Sequence, residues 1–160
     1  MVHIDEMATL QRKWGARIVG IGKRYLEGGD YRQAAEDMID ALYAYDHGGV
    51  LFKPTKAAQV QFRDTKNKAL SYFVGGSIPE DHGFALNPWS RVRFENHSVV
   101  LDKDWAIGMG NAYFTDAHSA KEVQAEFTLG IRYAGDGHVV IFLHHSSLPY
   151  DPEGKSTRRS

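Results

Sequence analysis

The hydrophobic period of the chain changes about halfway along. In the first part Met7, Leu10, Trp14, Ile18, Ile21 and Tyr25 recur at three- and four-residue spacing, the apolar stripe of a helix with one buried face. Asp5 stands where an N-cap would, and Gly28-Gly29 closes the helix. A second helix opens at Asp30, with Gln33 three residues on as in a capping box. It buries Ala34, Met38, Leu42 and Tyr45 before Asp46-His47-Gly48-Gly49 stops it. Val50 to Thr55 reads as a short extended piece, because Pro54 drives Lys53 out of helical geometry. A third helix runs from Asp64 to Val74 and ends at Gly75-Gly76.

Beyond the Gly/Pro-containing loop from Ser77 to Pro88 the period becomes two. The pattern predicts strands from Trp89 to Leu101, Trp105 to Thr115, Glu122 to Tyr133 and His138 to Ser147. Asp102-Lys103-Asp104 and Gly135-Asp136-Gly137 are hairpin turns, so neighbouring strands pair antiparallel. In the third strand Val123, Ala125, Phe127, Leu129 and Ile131 alternate with mostly polar residues, which gives one buried and one wetter face. On the second strand Ala106, Gly108, Gly110 and Ala112 share a face and leave room for close approach. The last strand is apolar on both faces through Val139-Val140-Ile141-Phe142 and so sits centrally. Three helices followed by a long antiparallel sheet predict an α+β fold, a curved sheet wrapped around the N-terminal helices as a cone. One domain covers residues 1–149, and 150–160 form a polar tail that reads as disordered from Asp151. The second apolar face of the sheet points to a homodimer.

Composition narrows the function. The 160 residues are 42% hydrophobic, enough for one substantial core, and the formal net charge of −1 with no basic run argues against a nucleic-acid partner. The absence of cysteine excludes disulfides, thiolate metal sites and a cysteine nucleophile. The start lacks the regions of a signal peptide, and no apolar run approaches membrane-spanning length, so a cytoplasmic protein is expected.

The chemistry concentrates at Leu143-His144-His145-Ser146-Ser147-Leu148-Pro149, where the last strand ends. Strand alternation places His145 and Ser147 on one side and His144 and Ser146 on the other, one pair lining the cone and the other facing outward. Two adjacent strand histidines cannot converge on one metal ion, which speaks against a dedicated zinc site. Thr55 beside Phe52, and Tyr72 in Ser71-Tyr72-Phe73-Val74, supply further hydroxyls. Gathered among Phe52, Phe73, Leu143 and Trp105, these groups have the makeup of a small-molecule pocket.

Two helices, then Val50 to Thr55, Gln61-Phe62-Arg63, Ser71 to Gly76, Phe94-Glu95-Asn96 and His144 to Pro149 resemble the iota-class carbonic anhydrases. That family is similar in fold to the association domain of calcium/calmodulin-dependent protein kinase II and to nuclear transport factor 2. The resemblance spans about residues 5 to 149 and implies reversible hydration of carbon dioxide to bicarbonate by a homodimer, with no cofactor and, in members that work so, no metal. It also implies site residues: Thr55, Tyr72, His145 and Ser147 as the hydroxyl, phenol and imidazole groups, with Thr65 the competitor for Thr55. Carbon dioxide would lie among Phe52, Phe73 and Leu143, and a water held by Tyr72 and Ser147 would pass its proton toward His145. Two other readings compete: an anion-binding or assembly module without catalysis, and an isomerase or dehydratase needing a buried carboxylate such as Glu126.

Overall fold

The computed structural model describes residues 1–154. Helices α1 (Ile4–Leu26), α2 (Tyr31–Leu42) and α3 (Lys66–Val74) precede strands β2 (Trp89–Leu101), β3 (Trp105–Asp116), β4 (Glu122–Tyr133) and β5 (Val139–Ser147). The short strand β1 (Leu51–Lys53) falls between α2 and α3. The sheet order is β1-β5-β4-β3-β2, so β5 is internal as its two apolar faces require. The four long strands pair antiparallel, while β1 pairs parallel with β5, a departure from a wholly antiparallel sheet. The α+β architecture and its curved sheet agree with the sequence. Of the polar tail expected at 150–160, residues 155–160 lie outside the described residues. No helix among the described residues is long and apolar enough to cross a membrane.

Local chemistry explains the helix ends. His3, not Asp5, precedes α1, and the Glu6 carboxylate accepts the His3 N–H at 3.1 Å. Asp30 caps α2 by accepting the Gln33 N–H at 3.0 Å, but the Gln33 side chain turns to Asp37, so only half of the expected capping box forms. Helix α2 stops at Leu42, and the buried tyrosine after it is Tyr43, not Tyr45. Thr65 caps α3 by accepting the Lys68 N–H at 3.3 Å. That task removes Thr65 from competition for the pocket.

The concave side of the sheet packs on α1 through Met7, Leu10, Trp14, Ile18 and Ile21, with Ala125, Phe127, Leu129 and Ile131 of β4 facing inward. Two glycines let the sheet bend. Ile131 lies opposite Ile141 but Gly130 lies opposite Leu143, so Phe142 is an extra residue, a β-bulge in β5. A Cβ at Gly130 would sit 2.9 Å from Leu143 Cβ and 3.0 Å from the Phe142 ring. Gly110 plays the same part opposite a bulge at His97 in β2, where a Cβ would meet the His97 nitrogen at 2.9 Å. The small-residue face noted on β3 is thus used partly by α1 and partly by the bent backbone of β2.

Candidate functional site

The bulge decides which polar residues face inward. After an extra residue, strand alternation resumes with opposite parity. His144 then lies opposite inward-facing Leu129, and Ser146 opposite inward-facing Phe127, while His145 and Ser147 lie opposite Thr128 and Glu126 on the outer face. His144 and Ser146 are 6% and 7% exposed, whereas His145 is exposed on its side of the sheet. The split into two pairs holds, but the pair placed inside, His145 and Ser147, is the outer one. Leu143 moves out with them, opposite Gly130. Trp105 begins β3 opposite Arg132 and does not border the cavity.

The inner pair opens on a cavity of about 20 Å³, just above the room one water needs. Its walls are aromatic: Trp14, Phe52, Phe73, Phe84, Phe114 and Phe127. Each reaches it from a different element for a local reason. Trp14 lies on the buried stripe of α1, and Phe52 pairs across from His144 in the parallel β1–β5 ladder. Phe73 and Tyr72 occupy the last turn of α3. Phe52 stacks on the His144 ring at 5.0 Å, and Trp14 meets the same ring edge-on at 5.7 Å.

Polar groups gather at one end. Thr55 Oγ1 and Ser146 Oγ are 2.5 Å apart, and Thr55 also hydrogen-bonds the Tyr72 phenol, whose oxygen accepts the Lys56 N–H at 3.3 Å. Thr55, Tyr72 and Ser146 therefore form a linked chain of hydroxyls, two of which were singled out in the sequence. Burial pushes the Tyr72 pKa well up, outweighing these hydrogen bonds, so the group stays a phenol. Burial, and then the charge of His145, pushes His144 down to about 3, which keeps its ring neutral at physiological pH. His144 Nδ1 is 2.8 Å from the Tyr43 hydroxyl, and Trp14 Nε1 donates to that same oxygen at 2.9 Å.

A wider vestibule of about 420 Å³ adjoins the cavity and shares Thr55, Tyr72 and Phe84 with it. Its wall is tied down by ions. Arg63, 0% exposed, donates to both Asp81 oxygens at 2.7 and 2.8 Å, and Ser71 Oγ donates to Asp81 at 2.6 Å. Glu80 accepts the backbone N–H groups of Ala58, Gln59 and Val60, which hold its carboxyl below the usual range. Removing Asp81 would strip the buried Arg63 of its bidentate carboxylate and leave only Glu80, 3.9 Å from Nη2, opposite its charge, a loss of about 3 kcal/mol.

Sequence reasoning missed His144, Ser146, Tyr43 and Trp14. The signal for the first two was Gly130, since a glycine inside a strand pattern marks a bulge or close approach. Tyr43 and Trp14 pass in sequence for ordinary core aromatics. Among the described residues no cluster of three His, Asp or Glu side chains could hold a metal ion.

A family model described as metal-independent carbonic anhydrase matches residues 5–148. A relative from a Nostoc species, named metal-independent carbonic anhydrase, is 38% identical over 152 residues, covering 92% of this chain and 74% of its own. The crystal structure of a cyanobacterial iota-carbonic anhydrase complexed with bicarbonate superposes with a TM-score of 0.89 at 37% identity, covering 94% of each chain. An NTF2-like protein with a cystatin-like fold from Novosphingobium aromaticivorans shares the fold alone, with a TM-score of 0.61 at 8% identity over 98% of this chain and 88% of its own.

Proposed function

The chain belongs to the metal-independent carbonic anhydrase family, and on that premise we propose that it hydrates carbon dioxide reversibly to bicarbonate in the aromatic cavity, without metal. The observation that carries this reading is the hydroxyl chain Ser146–Thr55–Tyr72 at one end of a cavity of about 20 Å³. Aromatic walls suit an apolar triatomic, and three hydroxyls suit the oxygens of its hydrated form. The bicarbonate held by the cyanobacterial relative is the ligand expected here.

A zinc enzyme makes hydroxide by lowering bound-water pKa to about 7. His144, at about 3, is too weak a base to replace that. The hydroxyls can instead relay protons during attack. A water held by Ser146 and Thr55 forms its bond to the carbon as one carbon–oxygen π bond breaks. Its proton passes to a hydroxyl while that hydroxyl's own proton moves to a carbon dioxide oxygen. The product is carbonic acid, which loses its proton to water in the vestibule and leaves as bicarbonate. Tyr72, kept protonated by burial, donates to the developing negative oxygen. A preorganised donor of this kind is worth about 10²–10³-fold.

Among the described residues no Asp or Glu borders the cavity, and Glu126 is exposed on the outer face, which counts against an isomerase or dehydratase. The homodimer and the cytoplasmic location remain parts of the proposal. The former draws support from Val100 and Met109, both exposed on the outer face of β2 and β3, and sedimentation of the full chain tests it. Stopped-flow carbon dioxide hydration, with and without chelator, tests the reaction. Turnover unchanged by chelator is expected. Activity at the buffer background overturns the anhydrase reading, and loss on chelation overturns the metal-free mechanism.

A further inference from the structure

We propose that Trp14 and Tyr43 lock His144 into the neutral tautomer with its proton on Nε2, so that the imidazole offers the cavity a hydrogen-bond donor and not a base. The inference rests on the carbonic anhydrase reading only for what the donor contacts.

It follows from counting protons along three side chains. The indole N–H of Trp14 can only donate, and it points at the Tyr43 oxygen at 2.9 Å. That oxygen is also 2.8 Å from His144 Nδ1. If Nδ1 carried the proton, the phenol oxygen would receive two donors, and its own hydrogen would find no acceptor. Tyr43 is 1% exposed, so water cannot supply one. If Nδ1 is bare, every group is satisfied: Trp14 donates to Tyr43, and Tyr43 donates to His144. An unmet buried hydroxyl biases such a balance by about 10-fold or more. Protonating both ring nitrogens is opposed by the apolar packing of Phe52 and Trp14 around the ring.

The proton of a neutral ring with a bare Nδ1 sits on Nε2. No buried side-chain nitrogen or oxygen among the described residues lacks a hydrogen-bond partner. Nε2 makes no hydrogen bond to the described residues, so it is not sealed in the core, and the ring borders the cavity. Its N–H joins the hydroxyls of Thr55, Ser146 and Tyr72 as a fourth donor to the oxygens of bound bicarbonate. Tyr43 and Trp14 act through His144 and are positioning residues.

The test reads the tautomer directly. Long-range proton–nitrogen correlation spectra of the full chain labelled with ¹⁵N-histidine, with His144 assigned through His144→Gln, should show one neutral tautomer protonated on Nε2 from about pH 5 to 8. Added bicarbonate should shift the Nε2 resonance. Tyr43→Phe should give a mixed tautomer signal and a kcat lower by about 10-fold. An Nδ1-protonated or doubly protonated ring in the unaltered protein, or a Tyr43→Phe spectrum unchanged from it, overturns the proposal. The spectrum needs no turnover, so the two readings fail separately. An Nε2–H ring in a protein without hydration activity sinks only the anhydrase reading, and an active protein with an Nδ1–H ring sinks only this one.

Discussion

The two faces of β5 carry nearly the same chemistry within four residues and put it to opposite uses. Inward, His144 and Ser146 are buried against aromatics and joined to Tyr43 and Thr55. Outward, His145 is exposed, and Ser147 lies half-buried across from Glu126. Residue type alone does not separate the pairs. What decides which pair faces inward is one extra residue, Phe142, accommodated by the missing side chain of Gly130. A functional motif in a strand is therefore read correctly only with its register.

The sharpest way to break this comparison is to remove one hydroxyl from each face. Ser146→Ala deletes the group 2.5 Å from Thr55 and should lower kcat/KM by about 10²-fold or more, the loss typical of a preorganised donor. Stopped-flow assays of Ser146→Ala beside Ser147→Ala check it. A larger loss at Ser147 would mean that the outer face does the chemistry.

The next effect concerns the hinge of the comparison itself. Gly130→Ala places a methyl 2.9 Å from Leu143 Cβ, which is fixed to the backbone and cannot swing away. Overpacking of this kind should cost about 1–3 kcal/mol in urea unfolding. A neutral result would show that the bulge relaxes without help from the glycine.

Most of the fold was legible because it rests on period. The strand limits follow from alternation and from turn residues such as Gly135-Asp136-Gly137, and the first helix from its apolar stripe. Thr55, Tyr72, Phe52 and Phe73 were also legible, as hydroxyls and rings beside breaks in the pattern, and they border the cavity together. His144 and Ser146 were not, because a bulge is a property of two strands at once, and β5 alone contains no record of Gly130 across from it. Tyr43 was hidden for a related reason. Its role depends on Trp14, 29 positions away, and His144, 101 positions away, which no local pattern connects.

The buried histidine of the inner face should make stability sensitive to acid. The folded pKa of His144, about 3, lies below the ordinary 6.5, so the unfolded chain binds more protons between these values. Stability must then fall as pH drops from about 6.5 toward 3, by up to about 1.4 kcal/mol per unit from this residue. Urea midpoints measured across that window should fall less steeply for His144→Gln than for the unaltered protein. Equal slopes in the two proteins would mean that His144 is not held neutral by burial.

The smallest expected effect is the most demanding. Ser147→Ala and His145→Gln alter side chains whose strand partners, Glu126 and Thr128, lie on the outer face. Neither touches the hydroxyl chain or the imidazole held by Tyr43. Surface substitutions of this kind stay within about 0.5 kcal/mol, so turnover and stability should remain within about twofold of the unaltered protein. Lys53 has a route inward, since it stands across from His145 and donates to the Ser146 carbonyl at 3.1 Å. A loss at His145→Gln matched by an equal loss at Lys53→Met would therefore trace to the backbone of Ser146, whereas a loss at His145 alone would put a second imidazole into the chemistry and end the division between the faces.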